Sequence, residues 1–297
     1  MKYRITHNTT YNYSQLVGLC QNEARLQPRE CWRQHCHYSR FEISPIPVEM
    51  TSRVDFFGNR VAYFAIPQAH KRLVVSAISE VTVQPLSPDN LLNNPMPWEM
   101  AREWLQASAH TDQADEILQA KHYLLDSPMV ASCPELADYA LPSFTPARPL
   151  VEVVQNLMGR IYNDFTYDPS FTTIATPLSE VLAHRRGVCQ DFAHLAIACL
   201  RSFGIASRYV SGYVETIPAA GKPRLVGADA SHAWFAVYIP GGGWLDFDPT
   251  NNKLPVDQHI TLAWGRDFAD VTPLKGIAFG GGQHTLAVSV DVLRLEQ

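Results

Sequence analysis

The sequence predicts an α+β fold made of two unlike parts, an antiparallel β-rich N-terminal part and a C-terminal part in which a helix precedes several strands. Two observations predict it. Residues 1–86 break repeatedly into short runs rich in Val, Ile, Thr and Tyr, parted by proline and glycine signals. Beyond them a long apolar-faced helical stretch, a second helix and then a series of strand-like runs follow in order, the pattern of α+β rather than of alternating βαβ units. A length of 297 residues fits two ordinary domains, and 46% hydrophobic against 18% charged residues is globular composition with ample material for a core.

The first strands are expected from Tyr3 to Tyr13, Tyr38 to Ile43, Val61 to Ile66 and Leu73 to Val83, where apolar and polar residues alternate. Pro45-Ile46-Pro47 and Phe57-Gly58-Asn59 separate them, and this spacing favours an antiparallel β-sandwich-like unit over residues 1–86. Residues 87–145 read as a helical connector: after Pro95 and Pro97, the stretches Trp98 to Ala107 and Ala114 to Leu125 have helical spacing with little β-branching. Residues 146–297 form the third unit. It opens with Leu150 to Tyr162, where Leu150, Val153, Val154, Leu157, Met158 and Ile161 make one apolar face. A helix from Gln190 to Phe203 follows, then strands at Ala206 to Val214, His232 to Ile239, Trp244 to Phe247 and finally Thr285 to Leu293. Gly280-Gly281-Gly282 reads as a flexible loop, because a strand and not a helix follows it.

The strongest chemical signal is Arg185-Arg186-Gly187-Val188-Cys189-Gln190-Asp191, which places Cys189 at a helix N-terminus. Unpaired backbone N–H groups and the positive end of the helix dipole stabilise a thiolate there, and nearby arginines act in the same direction. Cys199, mid-helix between apolar neighbours, reads as a packed core residue. An attacking thiolate needs a base that holds its proton and returns it to the leaving group. His194 lies about 140° around the helix from Cys189 and points elsewhere; His184 sits on the loop before it. His232 is better placed, sharing one strand face with Trp234, Ala236 and Tyr238. Two carboxylates, Asp246 and Asp248, follow the hairpin signal Pro240-Gly241-Gly242-Gly243. An odd loop pairing 239 with 243 sets Asp248 diagonally beside His232 and leaves Asp246 roughly 13 Å along the strand from it. An even loop would turn Asp248 to the other face.

At these residues the sequence resembles the transglutaminase-like superfamily: Gly187-Val188-Cys189 at a helix start, His232-Ala233-Trp234 on a strand, Asp248-Pro249-Thr250 at a strand end. The resemblance implies a papain-like core, a Cys-bearing helix packed on an antiparallel sheet that carries His and Asp. It implies that Cys189 is the nucleophile, His232 the general base and acid, and Asp248 the residue that orients the imidazole. Tyr11-Asn12-Tyr13, Leu26-Gln27-Pro28-Arg29 and Asp55-Phe56-Phe57-Gly58-Asn59 are similar to the β-rich region preceding this core in many bacterial members. The implied function is thiol-dependent acyl chemistry on a peptide or other amide substrate. Hydrolysis is the leading reading, acyl transfer to an amine the first alternative, and an inactive binding protein the second. The backbone N–H of Cys189 is the expected first oxyanion donor, with Tyr167 and Gln190 as weak candidates for the second.

The remaining expectations are exclusions. A net charge of -5 is too balanced for a dedicated phosphate-backbone binder, so nucleic acid is not an expected partner. No apolar stretch approaches the ~20 residues of a bilayer span, and no cleavable leader is visible, which points to a soluble cytoplasmic protein with reduced thiols. No cofactor and no metal are expected. The stretch Cys31, His35, Cys36, His37 has ligand-type residues but lacks a second cluster, and alternate strand residues point to opposite faces.

Overall fold

The computed structural model describes residues 1–86, 92–106, 114–173, 176–216 and 231–295, so residues 87–91 and 107–113 of the expected connector lie outside the described residues. The chain begins with β1 (Lys2–Ala24), β2 (Gln34–Ser44), β3 (Glu49–Val54), β4 (Arg60–Ile66) and β5 (His70–Val83). β1 is the axis of this part. Its first half pairs antiparallel with β5, and after an irregularity between Asn12 and Val17 its second half pairs with β4. Alternation makes this possible, because Tyr3, Ile5, His7 and Thr9 are buried while their neighbours are more open, so one face of the strand packs inward.

The connector holds α1 (Trp98–Gln106), α2 (Ala114–Lys121) and α3 (Pro134–Ala140). Next come α4 (Leu150–Asp164), β6 (Thr166–Tyr167), α5 (Leu178–His184), β7 (Arg186–Gly187) and α6 (Cys189–Ser202). α4 buries Leu150, Val153, Val154, Leu157, Met158 and Ile161, the face its spacing predicts. An antiparallel sheet of β8 (Ser207–Val214), β9 (Ser231–Ile239), β10 (Gly243–Phe247) and β11 (His259–Gly265) completes the core, in the order β10-β9-β8-β11. α6 packs on β8 and β9. Its apolar residues, such as Leu195, Ile197 and Leu200, share one core with Phe235, Val237 and Phe247 from one face of that sheet.

The chain ends with α7 (Phe268–Val271), β12 (Leu274–Gly280) and β13 (His284–Leu295). Here the structure corrects the expected arrangement. The last strand does not stay with the 146–297 unit: β13 pairs with the first half of β1, and β12 with its second half, so the N-terminal sheet has seven strands. The glycine run is the hairpin turn between these two strands. The physical reason is the length of β1, whose 23 residues expose an unpaired edge opposite β5 and β4 that a returning chain must satisfy.

The two parts are joined through the free edge of β11. Asn59, fully buried, accepts hydrogen bonds from Trp264 N–H (2.9 Å) and Arg29 Nη1 (2.7 Å) and donates to Trp264 C=O (2.9 Å). Gln34 closes the same kind of ring with Thr261, accepting from its N–H and donating to its C=O, both at 2.8 Å. The Leu26–Arg29 and Asp55–Asn59 motifs thus protect a sheet edge. Asn59→Ala leaves both Trp264 backbone groups unpaired in a dry environment and should cost about 3 kcal/mol of stability, read as a lower denaturant midpoint at unchanged slope.

Candidate active site

Cys189 is the first residue of α6, with extended Val188 before it. The turn is built by Asp191, whose Oδ2 accepts from Val188 N–H and from Thr172 Oγ1, each at 2.8 Å. A side chain at 187 would place its Cβ 2.8 Å from that same Oδ2, so only glycine lets the carboxylate fold back over the helix start. Being first in the helix, Cys189 has no intrahelical acceptor for its own N–H. The arginines, however, do not assist the thiol in the expected way. Arg186 pairs with Asp168 at 3.1 Å, and Arg185 reaches Asp164 at 3.9 Å while lying over Tyr139 and Phe165.

His232 is the second residue of β9, and Asp248 follows the end of β10. The hairpin pairs Gly243 with Ile239 and Asp246 with Ala236, which is the odd register; residues 240–242 make the three-residue turn, with Gly241 inside it and Gly243 just after it at φ +73° and +80°. Asp248 therefore falls on the His232 face, and its Oδ2 lies 2.8 Å from His232 Nε2. Asp246 stays at its distance, beside Ala236. α6 packs against the opposite face of the sheet, and the Cys189 side chain at its start is hydrogen-bonded to His232, near the beginning of β9. Nε2 is committed to Asp248, leaving Nδ1 as the ring nitrogen for the Cys189 thiol.

Asp248 has more partners than the sequence argument supplied. Its Oδ2 also lies 3.0 Å from His259 Nε2 and accepts from Asn251 Nδ2 at 2.7 Å, while Oδ1 accepts from the N–H groups of Thr250 and Asn251 at 3.0 and 3.2 Å. His259 and Asn251 are the residues that sequence reasoning missed. Asn251 stands directly after the Asp-Pro-Thr motif, a local signal that was available. His259 arrives through the β11 edge, and no pattern along the chain announces it.

The electrostatics follow from this shell. Burial disfavours the imidazolium of His232, but the hydrogen bonds to Asp248 and Cys189 and their charges outweigh it and push the ring up to about 10. Burial also opposes the Asp248 carboxylate, yet its two histidine partners hold it well below the usual range. Burial pushes His259 down from its ordinary value, against the opposing pull of Asp248. The other five cysteines are all pushed up by burial, Cys199 to about 12. Iodoacetamide at neutral pH should therefore label Cys189 first, and peptide mapping that finds Cys199 labelled at a comparable rate in the folded protein would contradict the site.

Among the described residues, one group of side chains is close enough to hold a metal ion, and it is His232, Asp248 and His259 themselves. Their facing atoms already sit 2.8 and 3.0 Å apart in hydrogen bonds, and an ion at ~2 Å from each would have to spread them and take the proton-carrying nitrogens as ligands. The Cys31 to His37 stretch does not converge: His35 faces Glu30 at 3.1 Å, His37 faces Thr82 at 2.8 Å, and Cys36 donates to Tyr38 C=O. His194 is turned away and buried, accepting from Phe268 N–H, and His184 lies against Phe171. Tyr167 pairs beside Gly187, and Cys189 is among the groups that raise its phenol after burial, so the two are electrostatic neighbours.

Residues 3–82 match the model of the bacterial transglutaminase-like N-terminal region, and residues 138–249 that of the transglutaminase-like superfamily core. A Mycobacterium tuberculosis protein is 43% identical over 307 residues, covering 99% of this chain and 93% of its own. A Mycobacterium leprae protein is 34% identical, with 99% of each covered. Over 43% of this chain, a protein-glutamine gamma-glutamyltransferase of Pseudomonas aeruginosa is 28% identical, the match taking in 21% of that protein. A solved structure from Cytophaga hutchinsonii, described as a candidate cysteine protease, shares the fold at TM-score 0.74 and 22% identity, covering 100% of this chain and 91% of that one.

Proposed function

Because this chain belongs to the transglutaminase-like superfamily, we propose that it carries out thiol-dependent acyl chemistry on an amide, with Cys189 as nucleophile, His232 as base and acid, and Asp248 as the residue that orients and charges the imidazole. The observation that carries the reading is that one imidazole, His232, is hydrogen-bonded to Cys189 on one side and to Asp248 Oδ2 through Nε2, at 2.8 Å, on the other. The thiolate attacks the amide carbonyl, and the tetrahedral oxyanion lies by the Cys189 N–H. The imidazolium then protonates the departing amine, leaving a thioester. His259 and Asn251 hold the Asp248 carboxylate in place while the proton moves.

Water completes the reaction, giving a free acid. Cys189 is half-buried and the His232 side chain keeps 12% of its exposure, so solvent reaches the thioester. Transfer to an amine is the alternative that the Pseudomonas relative's name supports. A peptide and amine library scored by mass distinguishes them: free carboxylic acid as the main product supports hydrolysis, and amine-linked product in excess overturns it. We propose that the protein resides in the cytoplasm, a reducing compartment in which the Cys189 thiol stays available for attack. Among the described residues, no helix is long and apolar enough to cross a membrane.

A further inference from the structure

A cavity of about 780 Å³ opens between the N-terminal sheet, the connector and the sheet face that α6 does not cover. It contains neither Cys189 nor His232. Asp246, on its wall, is four strand positions from the level of His232, roughly 13 Å away. The volume is that of a small-molecule site. Its lining is cationic and aromatic. Among the described residues that line it, Arg29, Arg33 and Arg208 face a single carboxylate, Asp246.

Arg208 is the unusual member. It is 7% exposed, yet among the described residues no carboxylate pairs with it, and its Nε has no hydrogen-bond partner. Its guanidinium instead lies 3.6 Å from the centroid of the Trp264 ring and 4.2 Å from that of Trp244. Arg29 stands over the same Trp264 at 3.6 Å, again with an unpartnered Nε. Two guanidiniums on one indole are within about 7 Å of each other and repel in a poorly solvated setting. Burial accordingly pushes Arg208 down to about 10. Arg29 donates to Asn59 Oδ1 and Arg208 hydrogen-bonds the Tyr123 phenol, but neither partner nor the indole stacking neutralises the charge, and the Nε of each is left without an acceptor among the described residues. Trp32 and Phe56, which also line the cavity, are 67% and 74% exposed and give it an aromatic rim.

We propose that this cavity binds a small organic oxyanion, a carboxylate or phosphate on a flat apolar body, with the charge against Arg208 and Arg29 and the body against the aromatic rim. A guanidinium is a planar fork that donates two parallel N–H bonds, and two oxygens of either a carboxylate or a phosphate accept them. The site is independent of the thiol chemistry, so the two readings stand or fall separately.

The test uses the full chain and follows tryptophan fluorescence and calorimetry, since Trp244 and Trp264 form the wall. Benzoate and phenyl phosphate should bind saturably, the tighter of the two identifying the oxyanion, and neutral benzamide should bind at least about tenfold more weakly than benzoate. Arg208→Gln and Arg29→Gln should each weaken binding by about tenfold or more, and Asp246→Asn, which removes the opposing charge, should tighten it. Benzamide binding as well as benzoate overturns the proposal. So does inorganic phosphate binding as well as phenyl phosphate, or unchanged affinity in Arg29→Gln, a variant that keeps the readout available if Arg208→Gln fails to fold.

Discussion

Replacing Cys189 with alanine is expected to remove turnover of any amide substrate, by about 10⁶-fold in kcat, while the fold survives. The cysteine is the sole nucleophile in the proposed step, and no neighbouring group can form the thioester in its place. Its side chain starts a helix whose cap is made by Asp191, Val188 N–H and Thr172, none of which the substitution touches. The melting temperature should stay within about 2 °C of the wild type. Circular dichroism checks the fold, and a product assay checks the rate. A variant that keeps more than about one per cent of the activity sinks the covalent reading. If that activity is then abolished by a chelator, the His232, Asp248 and His259 group is holding a metal instead.

Asp248→Asn is expected to lower kcat by about 10²- to 10⁴-fold and to move the alkaline limb of the rate profile downward by more than about one pH unit. The sign follows from His232. Its folded value of about 10 lies above the ordinary 6.5, so the protonated ring persists through neutral pH and is lost as pH rises through about 10. The stability linked to this ring is fully present below 6.5 and is lost over the same upward interval. Asparagine keeps the shape but takes away the charge that opposes burial, so the ring loses its proton at lower pH. An alkaline limb left in place by Asp248→Asn would remove Asp248 from the role proposed for it. His259→Gln tests the supporting shell: it keeps a donor toward Asp248, so it should shift the limb less than Asp248→Asn does.

Part of this site was written along the chain because its parts are local. Gly187-Val188-Cys189 and a helical apolar pattern place the thiol at a helix start, while backbone period says only that an odd loop would put Asp248 on the face of His232, and the structure supplied that loop. The family resemblance carried the same residues. What could not be read were contacts made at long range. The Arg185 and Arg186 charges were expected near the thiol, but Asp164 and Asp168 take them, and nothing in the spacing of a loop says which carboxylate it will meet. His259 enters the shell of Asp248 only because β11 lies at the sheet edge, two strands from β9.

The sequence by itself determined the strongly periodic helices and strands and the start of α6, since each depends on residues within a few positions of one another, while the pairing register of β9 with β10 was one of two it allowed. Tertiary structure alone decided where β13 goes, how Cys189 reaches a histidine on the other face of the sheet, and that Asn59 and Gln34 cover the edge of β11. Those outcomes depend on unpaired backbone edges and buried charges finding partners, and a partner's identity is a property of the packed chain, not of the local pattern.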